Sequence, residues 1–323
     1  ALENMPDGEL PFVIGEFSLA NIKNAFVVYY NNDLKESLGI DTDLYALVDE
    51  GKWTADAMQS VIKDAYADLN GNSEVDPADR FGLTFGDLNK YVGFIKAFGV
   101  DIYKKESDGR YKFEFGSERA VNTVDFIQKL NPEEYVLPGQ ANNDNFPDYQ
   151  ISTGGGNYAS KPFVEGRALL SCGLIADASV MVPELTFNWG LLPYPKFDET
   201  QDSYNSVLQR VCHALIPVTA PDLAKSGALL EAISSETYRS LVPEYCEVSL
   251  KVRYSPDDNV SRMFDMAKDN IVYDPGEIFN DLLDYPSAVI RACMLDGGSW
   301  ATEVAKIKPM LDEKMSTVCE VIE

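Results

Sequence analysis

Short apolar runs alternate along this chain with stretches of helical period, and that alternation constrains the fold most. "PFVIG" (11–15) and "AFVVYY" (25–30) are unbroken apolar runs that read as buried strands. "TADAMQSVIKDAYAD" (54–68) then repeats Met58, Val61, Ile62, Ala65 and Tyr66 at helical spacing behind Thr54, an expected N-cap. "RFGLTF" (80–85) is again a strand, and "SERAVNTVDFIQKL" (117–130) a capped helix. "RALLSC" (167–172), "WGLLPYP" (189–195) and "VCHALIPV" (211–218) read as strands, and "PDLAKSGALLEAI" (221–233) as a helix. In the tail, Val304, Ile307, Leu311, Met315, Val318 and Ile322 make one apolar stripe, which Pro309 either bends or begins. Strands alternating with helices specify an α/β class.

The chain has 323 residues, enough for about two domains. Its 52 acidic against 27 basic residues give a net charge of −25, a field that repels phosphate backbones and anionic lipid. Nucleic acid is therefore not an expected partner. No apolar run approaches the ~20 residues of a membrane span. Five scattered cysteines without a CxxC pair argue against a zinc site and read as small buried apolar residues.

Between the helix from Thr54 and the strand at 80–85 lies "DLNGNSEVDPAD" (68–79). Asp68, Asn70, Asn72, Asp76 and Asp79 put side-chain oxygens at its first, third, fifth, ninth and twelfth positions, and Glu74 adds a backbone carbonyl at the seventh. A hard cation wants this pattern, so the loop reads either as a structural Ca²⁺ site or as an Asx-rich polar turn. Ser73 takes the sixth position, where glycine is usual, and Gly71 lies two residues earlier. "TGGGNYASKP" (153–162) is a loop by composition and lacks the Lys-Ser/Thr of a phosphate-binding loop.

Catalytic devices are hard to assemble from this sequence. The sole histidine, His213, lies in an apolar run, and acid pairs such as "PDD" (256–258) and "NDLLD" (280–284) carry no supporting motif. No catalytic residue is assigned. Trp53, Trp189 and Trp300 are either core residues or sugar-stacking faces.

Several stretches resemble the extracellular solute-binding proteins of ATP-driven (ABC-type) sugar importers, a lipoprotein family common in Gram-positive bacteria. They are "GELPFVIGEFSLANIKNAFVVYYNNDLKESLGI" (8–40), "LYALVDEGKWTADAM" (44–58), "FVEGRALLSC" (163–172), "WGLLPYPKFDETQDSYNS" (189–206), the long segment 216–266 and "IVYDPGEIF" (271–279). The resemblance implies a two-lobed periplasmic-binding-protein-like α/β fold. Its first lobe is expected to be incomplete, because residues 8–34 match an interior crossing segment. Residues 1–19 and 203–250 would belong to the first lobe, and 20–202 and 251–323 to the second, which carries the 68–79 loop. The implied function is delivery of a carbohydrate, an oligosaccharide, to the permease subunits of an importer by cleft closure. The implied state is a monomer outside the cell, lipid-anchored in its full-length form.

Positions that follow strand ends supply the expected ligand contacts. Asp87, Asn89 and Tyr91 follow "GLTF", Asp177 follows "ALLSC", Tyr204 and Asn205 sit at the return crossing, and Phe279, Asn280 and Tyr285 lie in the C-terminal segment. After "GRALLSC" the chain continues "GLIADAS", without the aromatic pair of some sugar-binding relatives. Two other readings stay open: a secreted carbohydrate-active enzyme, and a calcium-dependent cell-surface binding module.

Overall fold

A five-stranded mixed sheet forms the centre of the computed structural model, which describes residues 13–322 apart from 16, 108, 142–144 and 218. Strands are numbered β1 to β11 along the chain. β2 (Phe26–Asn31) pairs antiparallel with both β10 (Trp189–Leu192) and β9 (Ala168–Leu174). β3 (Phe81–Phe85) pairs parallel with β9 and with β6 (Val136–Leu137), giving the order β10-β2-β9-β3-β6. Every residue of β2, β3, β9 and β10 is buried. Both faces are therefore covered, which is why these segments are apolar without alternation.

Around the sheet lie three two-stranded ribbons: β1 (Val13–Ile14) with β11 (His213–Ala214), β4 (Tyr103–Lys105) with β5 (Tyr111–Phe113), and β7 (Gln150–Gly154) with β8 (Asn157–Ser160). The strand expected over 211–218 shrinks to the two residues of β11. Residue 218 is outside the described residues.

The helices obey their sequence signals with one early stop. α1 (Ala55–Ile62) starts where Thr54 Oγ1 accepts the Ala57 N–H at 3.3 Å and buries Met58, Val61 and Ile62. It ends sooner than its apolar period, because Ala67 and Arg80 exchange two backbone hydrogen bonds that pull the chain into the 68–79 loop. α2 (Val92–Ala97) is wholly buried, and α3 (Glu118–Leu130) is capped by Ser117, whose side chain accepts from Ala120 N. α4 (Leu223–Glu236) forms as expected but buries none of its residues, leaving Leu229 and Ile233 exposed. The chain then continues in wide π-turns over Thr237–Leu241 and Glu244–Tyr254, where Cys246 and Leu250 turn inward. α5 (Asp258–Asp269), α6 (Pro275–Ile278), α7 (Ala288–Asp296) and α8 (Trp300–Ile322) complete the order. α8 runs through Pro309 and buries Val304, Leu311, Met315 and Val318 along one side.

All three tryptophans are packing residues. Trp53 is fully buried and donates Nε1–H to Pro193 O at 2.9 Å. Trp189 packs on Tyr29 with ring centroids 5.7 Å apart. Trp300 donates to Phe115 O at 3.1 Å and meets that ring edge-on at 4.7 Å. Each is worth about 3–5 kcal/mol against alanine. The cysteines are free thiols, with Cys172, Cys246 and Cys293 buried.

The two segments expected to form the first lobe, 1–19 and 203–250, meet in the β1–β11 ribbon, where Val13 faces Ala214. Residues 1–12 of that division lie outside the described residues. Residues just after its boundary at 203 bond to the five-stranded unit. Tyr204 OH accepts from Trp53 N, Val207 O accepts from Phe26 N, and Ser206 N donates to Asn270 O. Tyr204, Ser206 and Val207 are thus tied to the five-stranded unit and the residues packed on it. Among the described residues, no helix is long and apolar enough to cross a membrane.

Candidate ligand-binding site

β3 and β9 run parallel side by side, so the segments leaving their C-terminal ends emerge together. Asp87 and Asp177 follow those ends, where open α/β sheets commonly place ligands. Both turn inward instead. Asp87 accepts from Asn89 N at 2.8 Å and Tyr158 N at 3.0 Å, and Asp177 accepts from Leu174 N at 2.8 Å. Between them lies the fully buried Lys90 ammonium, 3.4 Å from Asp87 and 3.7 Å from Asp177. Burial holds the Asp177 carboxyl above its ordinary range, and the Lys90 charge opposes that shift. The β7–β8 ribbon covers the cluster. It lies so close that a Cβ on Gly86 would sit 2.1 Å from Tyr158 O. In this structure the two aspartates are buried and hold backbone N–H groups.

Three other expected contacts also belong to the interior. Tyr91 stacks on Phe85 at 4.3 Å, and its hydroxyl donates to Asn131 Oδ1 at 2.5 Å while accepting from Gly139 N at 3.2 Å. Tyr204 is held by Trp53 N and by Leu47 O, to which it donates at 3.3 Å. Phe279 is buried and meets Tyr111 edge-on. Asn205 is half-buried next to Tyr204, where its side chain accepts from the Ser203 hydroxyl.

Asn89, Asn280 and Tyr285 do come together. They line two adjoining cavities of about 440 and 120 Å³ that share Arg210, Asn280 and Tyr285. Cys212, His213, Glu277 and Asp281 lie on the larger side, and Gln209, Ser287 and Arg291 on the smaller. The walls come from the 209–213 crossing, from α6 and the loop after it, from the start of α7, and from the turn after β3.

Asp274 sets this geometry. Its carboxylate accepts from Ile102 N at 2.7 Å, Tyr103 N at 3.2 Å and Gly276 N at 2.7 Å, so it pins α6 to β4. α6 then carries Glu277 to the cavity wall. Burial, reinforced by the Asp274 charge, pushes the Glu277 carboxyl up to about 8, against the opposing pull of the Ser287 hydroxyl and Lys96. Burial also lowers the His213 imidazole below its ordinary value.

Asp284 and Tyr285 are consecutive non-glycine residues at φ +55° and +58°. Such left-handed backbone costs of order 1–3 kcal/mol per residue and persists only where surrounding bonds enforce it. Here Tyr285 N donates to Asn280 O at 2.8 Å, and Tyr285 O accepts from Ala288 N at 2.9 Å. The strained turn holds an exposed tyrosine at the mouth of the cavity. Sequence reasoning missed Arg210, Gln209 and Arg291. Their signal was faint: scarce basic residues on the crossing and on a short C-terminal helix.

The 68–79 loop is closed by its own side chains. Asp68 accepts from Gly71 N and Ser73 N, Asn70 from Asn72 N, and Asn72 from Glu74 N. Both asparagine amides donate to Asp76 Oδ2, at 2.9 and 2.7 Å. Ser73, at the position where glycine is usual, adopts φ +62°. Asp79 is buried, and it accepts from Tyr66 OH, Leu69 N and Asp76 N. Among the described residues, no three His, Cys, Asp or Glu side chains gather closely enough to hold a metal.

No protein-family model matches the chain, and no curated protein matches it in sequence. Solved structures do match in fold. The GacH receptor of Streptomyces glaucescens, determined unliganded and with acarbose, superposes with a TM-score of 0.59 at 14% identity, covering 98% of this chain and 74% of that one. The sugar-binding protein MalE from Xanthomonas citri gives 0.58 at 12%, covering 92% and 70%. The ABC substrate-binding protein Lmo0181 from Listeria monocytogenes, in complex with cycloalternan, gives 0.58 at 11%, covering 96% and 73%. Across most of its length the chain is thus structurally similar to ABC sugar solute-binding proteins and has their α/β fold. These matched structures are of binding proteins.

Proposed function

We propose that the chain is an extracellular solute-binding protein that delivers a carbohydrate, an oligosaccharide, to an ABC importer by closing around it. One observation carries the reading: on a fold shared with sugar receptors, a cavity gathers Asn89, Gln209, Arg210, Asn280 and an exposed tyrosine. Amides and guanidinium groups match sugar hydroxyls, and the Tyr285 ring matches a C–H face. The cavity lies where the 209–213 crossing meets the C-terminal elements, so solute bound there touches segments on both sides of the proposed lobe boundary. That is the arrangement in which ligand shifts an open–closed equilibrium. The permease subunits of the importer are the proposed partners, and the protein acts as a monomer.

The test is a calorimetric titration with oligosaccharides of increasing length. Saturable one-to-one binding without product supports the reading. Glu277 and Asp281 are the cavity's acids; Glu277 is hydrogen-bonded to Ser287 and lies beside the like charge of Asp274. Release of reducing sugar abolished by Glu277→Gln or Asp281→Asn would establish the enzyme reading instead.

We further propose that the 68–79 loop takes one structural Ca²⁺. Asp68, Asn70, Asn72, Asp76 and the Glu74 carbonyl would be its donors, with Asp79 turned out of its present hydrogen bonds. Ser73's left-handed backbone supports this, because the sharp turn of a calcium loop falls at that position. The ion would fasten α1 to β3 and play no part in solute contact.

A further inference from the structure

Resting on the reading of the cavity as a saccharide site, we propose that its solute carries a carboxylate, as a uronic-acid oligosaccharide does. Basic residues are scarce in this chain, 27 against 52 acids, yet Arg210 and Arg291 both line the small cavity. Among the described residues, neither makes an ion pair with a carboxylate, whereas Arg119, Arg167 and Arg262 each do. Arg291 spends one N–H on Asn89 Oδ1 at 2.7 Å, a bond that orients the guanidinium and leaves its other donors unused. With two arginines on one small cavity, a bound anion would be met by two cations and gain charge-assisted hydrogen bonds.

The neighbouring groups agree. Gln209 Oε1 and Asn280 Oδ1 are buried without a hydrogen-bond partner. A flipped amide at either position puts an N–H₂ donor where the oxygen now stands, on a residue that lines the cavity. Ser287, on this wall, begins α7, so the positive end of that helix also points there. Of the two acids nearby, Glu277 is pushed up to about 8 by burial, and Asp281 is exposed on the larger side, where it accepts from the Tyr285 hydroxyl. A carboxylate is favoured over a phosphate for two reasons. Its planar two-oxygen edge matches one guanidinium in bidentate fashion. A monoanion also meets less repulsion than a dianion when it approaches a protein of net charge −25.

Calorimetry on the full chain tests this with a uronic-acid oligosaccharide, a neutral oligosaccharide of equal length and a sugar phosphate, at low and moderate salt. The uronic-acid oligosaccharide is expected to bind at least about tenfold more tightly than the neutral one, with the margin shrinking as salt rises. Arg210→Gln and Arg291→Gln should each weaken the charged sugar by about that factor more than they weaken the neutral one, so that the preference between the two sugars collapses. If either fails to fold, the corresponding Arg→Lys variant, expected to keep part of the preference, replaces it. Equal or tighter binding of the neutral sugar, or of the phosphate, overturns the carboxylate assignment while the saccharide reading stands. Absence of binding by all three sugars overturns the saccharide reading itself.

Discussion

Glu277→Gln is the sharpest probe of the architecture around the cavity. The wild-type carboxyl is pushed up to about 8 from an ordinary 4.5. Between these values the folded chain holds a proton that the unfolded chain has released. With one more proton bound in the folded state, unfolding free energy falls by about 1.4 kcal/mol per pH unit across the window. The difference of 3.5 units, 8 minus 4.5, corresponds to about 5 kcal/mol. Water entering the cavity softens the burial, so the expected loss is roughly 3–5 kcal/mol. Glutamine keeps the shape and has no proton to lose. The two proteins should therefore be equally stable to within about 1 kcal/mol near pH 4.5, and the variant should be more stable by the full amount near pH 8. Urea titrations followed by fluorescence of the buried tryptophans report this directly, as a midpoint shift of about 1–2 M for a chain of this size. His213 and Asp281 are common to both proteins, whereas Asp274 and Lys96 act within the Glu277 shift itself. A difference that stays flat from pH 4.5 to 8 would show that Glu277 is ionised in the folded protein, and the reasoning would fail.

Three further perturbations test separate parts of the structure. Adding Ca²⁺ should raise the melting temperature and a chelator should reverse it, with Asp68→Ala abolishing the response; no calcium response in the wild type would leave 68–79 a polar turn. Gly86→Ala should cost about 2 kcal/mol or more in urea titrations, because its Cβ would meet Tyr158 backbone at 2.1 Å; an unchanged midpoint would mean that the β7–β8 ribbon yields. Tyr285→Ala should leave stability within about 0.5 kcal/mol, since the ring is half exposed, yet weaken oligosaccharide binding about tenfold; unchanged affinity would remove Tyr285 from the site.

Much of the fold was legible because it is written in local signals. β2, β3, β9 and β10 are apolar without alternation, and a strand buried on both faces needs nothing else. Thr54 and Ser117 announce their helices by capping geometry. Signals that depend on distant partners were not legible. α1 stops at Ile62 although its apolar period runs on to Tyr66, because the Ala67–Arg80 pairing lies outside any helical window. The bonds of Tyr204, Ser206 and Val207 to Trp53, Asn270 and Phe26 were equally invisible, because each partner is far away in sequence.

The site was legible in a narrower way. Counting polar residues after strand ends finds Asp87 and Asp177, but the count is blind to which way a side chain turns. Direction is set by unsatisfied backbone N–H groups and by whatever covers the strand end. At β3 and β9 the N–H groups of Asn89, Tyr158 and Leu174 claim the aspartates, and Lys90 fills the space between them. Asp87 accepts two backbone bonds, and both aspartates face the buried ammonium. Asn89, two residues later, is free of that demand, and its side chain instead receives Arg291 from α7. The contact between a turn after a central strand and a helix 200 residues away is what makes the cavity, and no window of sequence contains both. The same logic explains the arginines. Read singly, Arg210 is one charge on a loop and Arg291 one charge on a short helix. Their meaning depends on sharing a wall with Gln209 and Asn280, where, among the described residues, neither is ion-paired with a carboxylate.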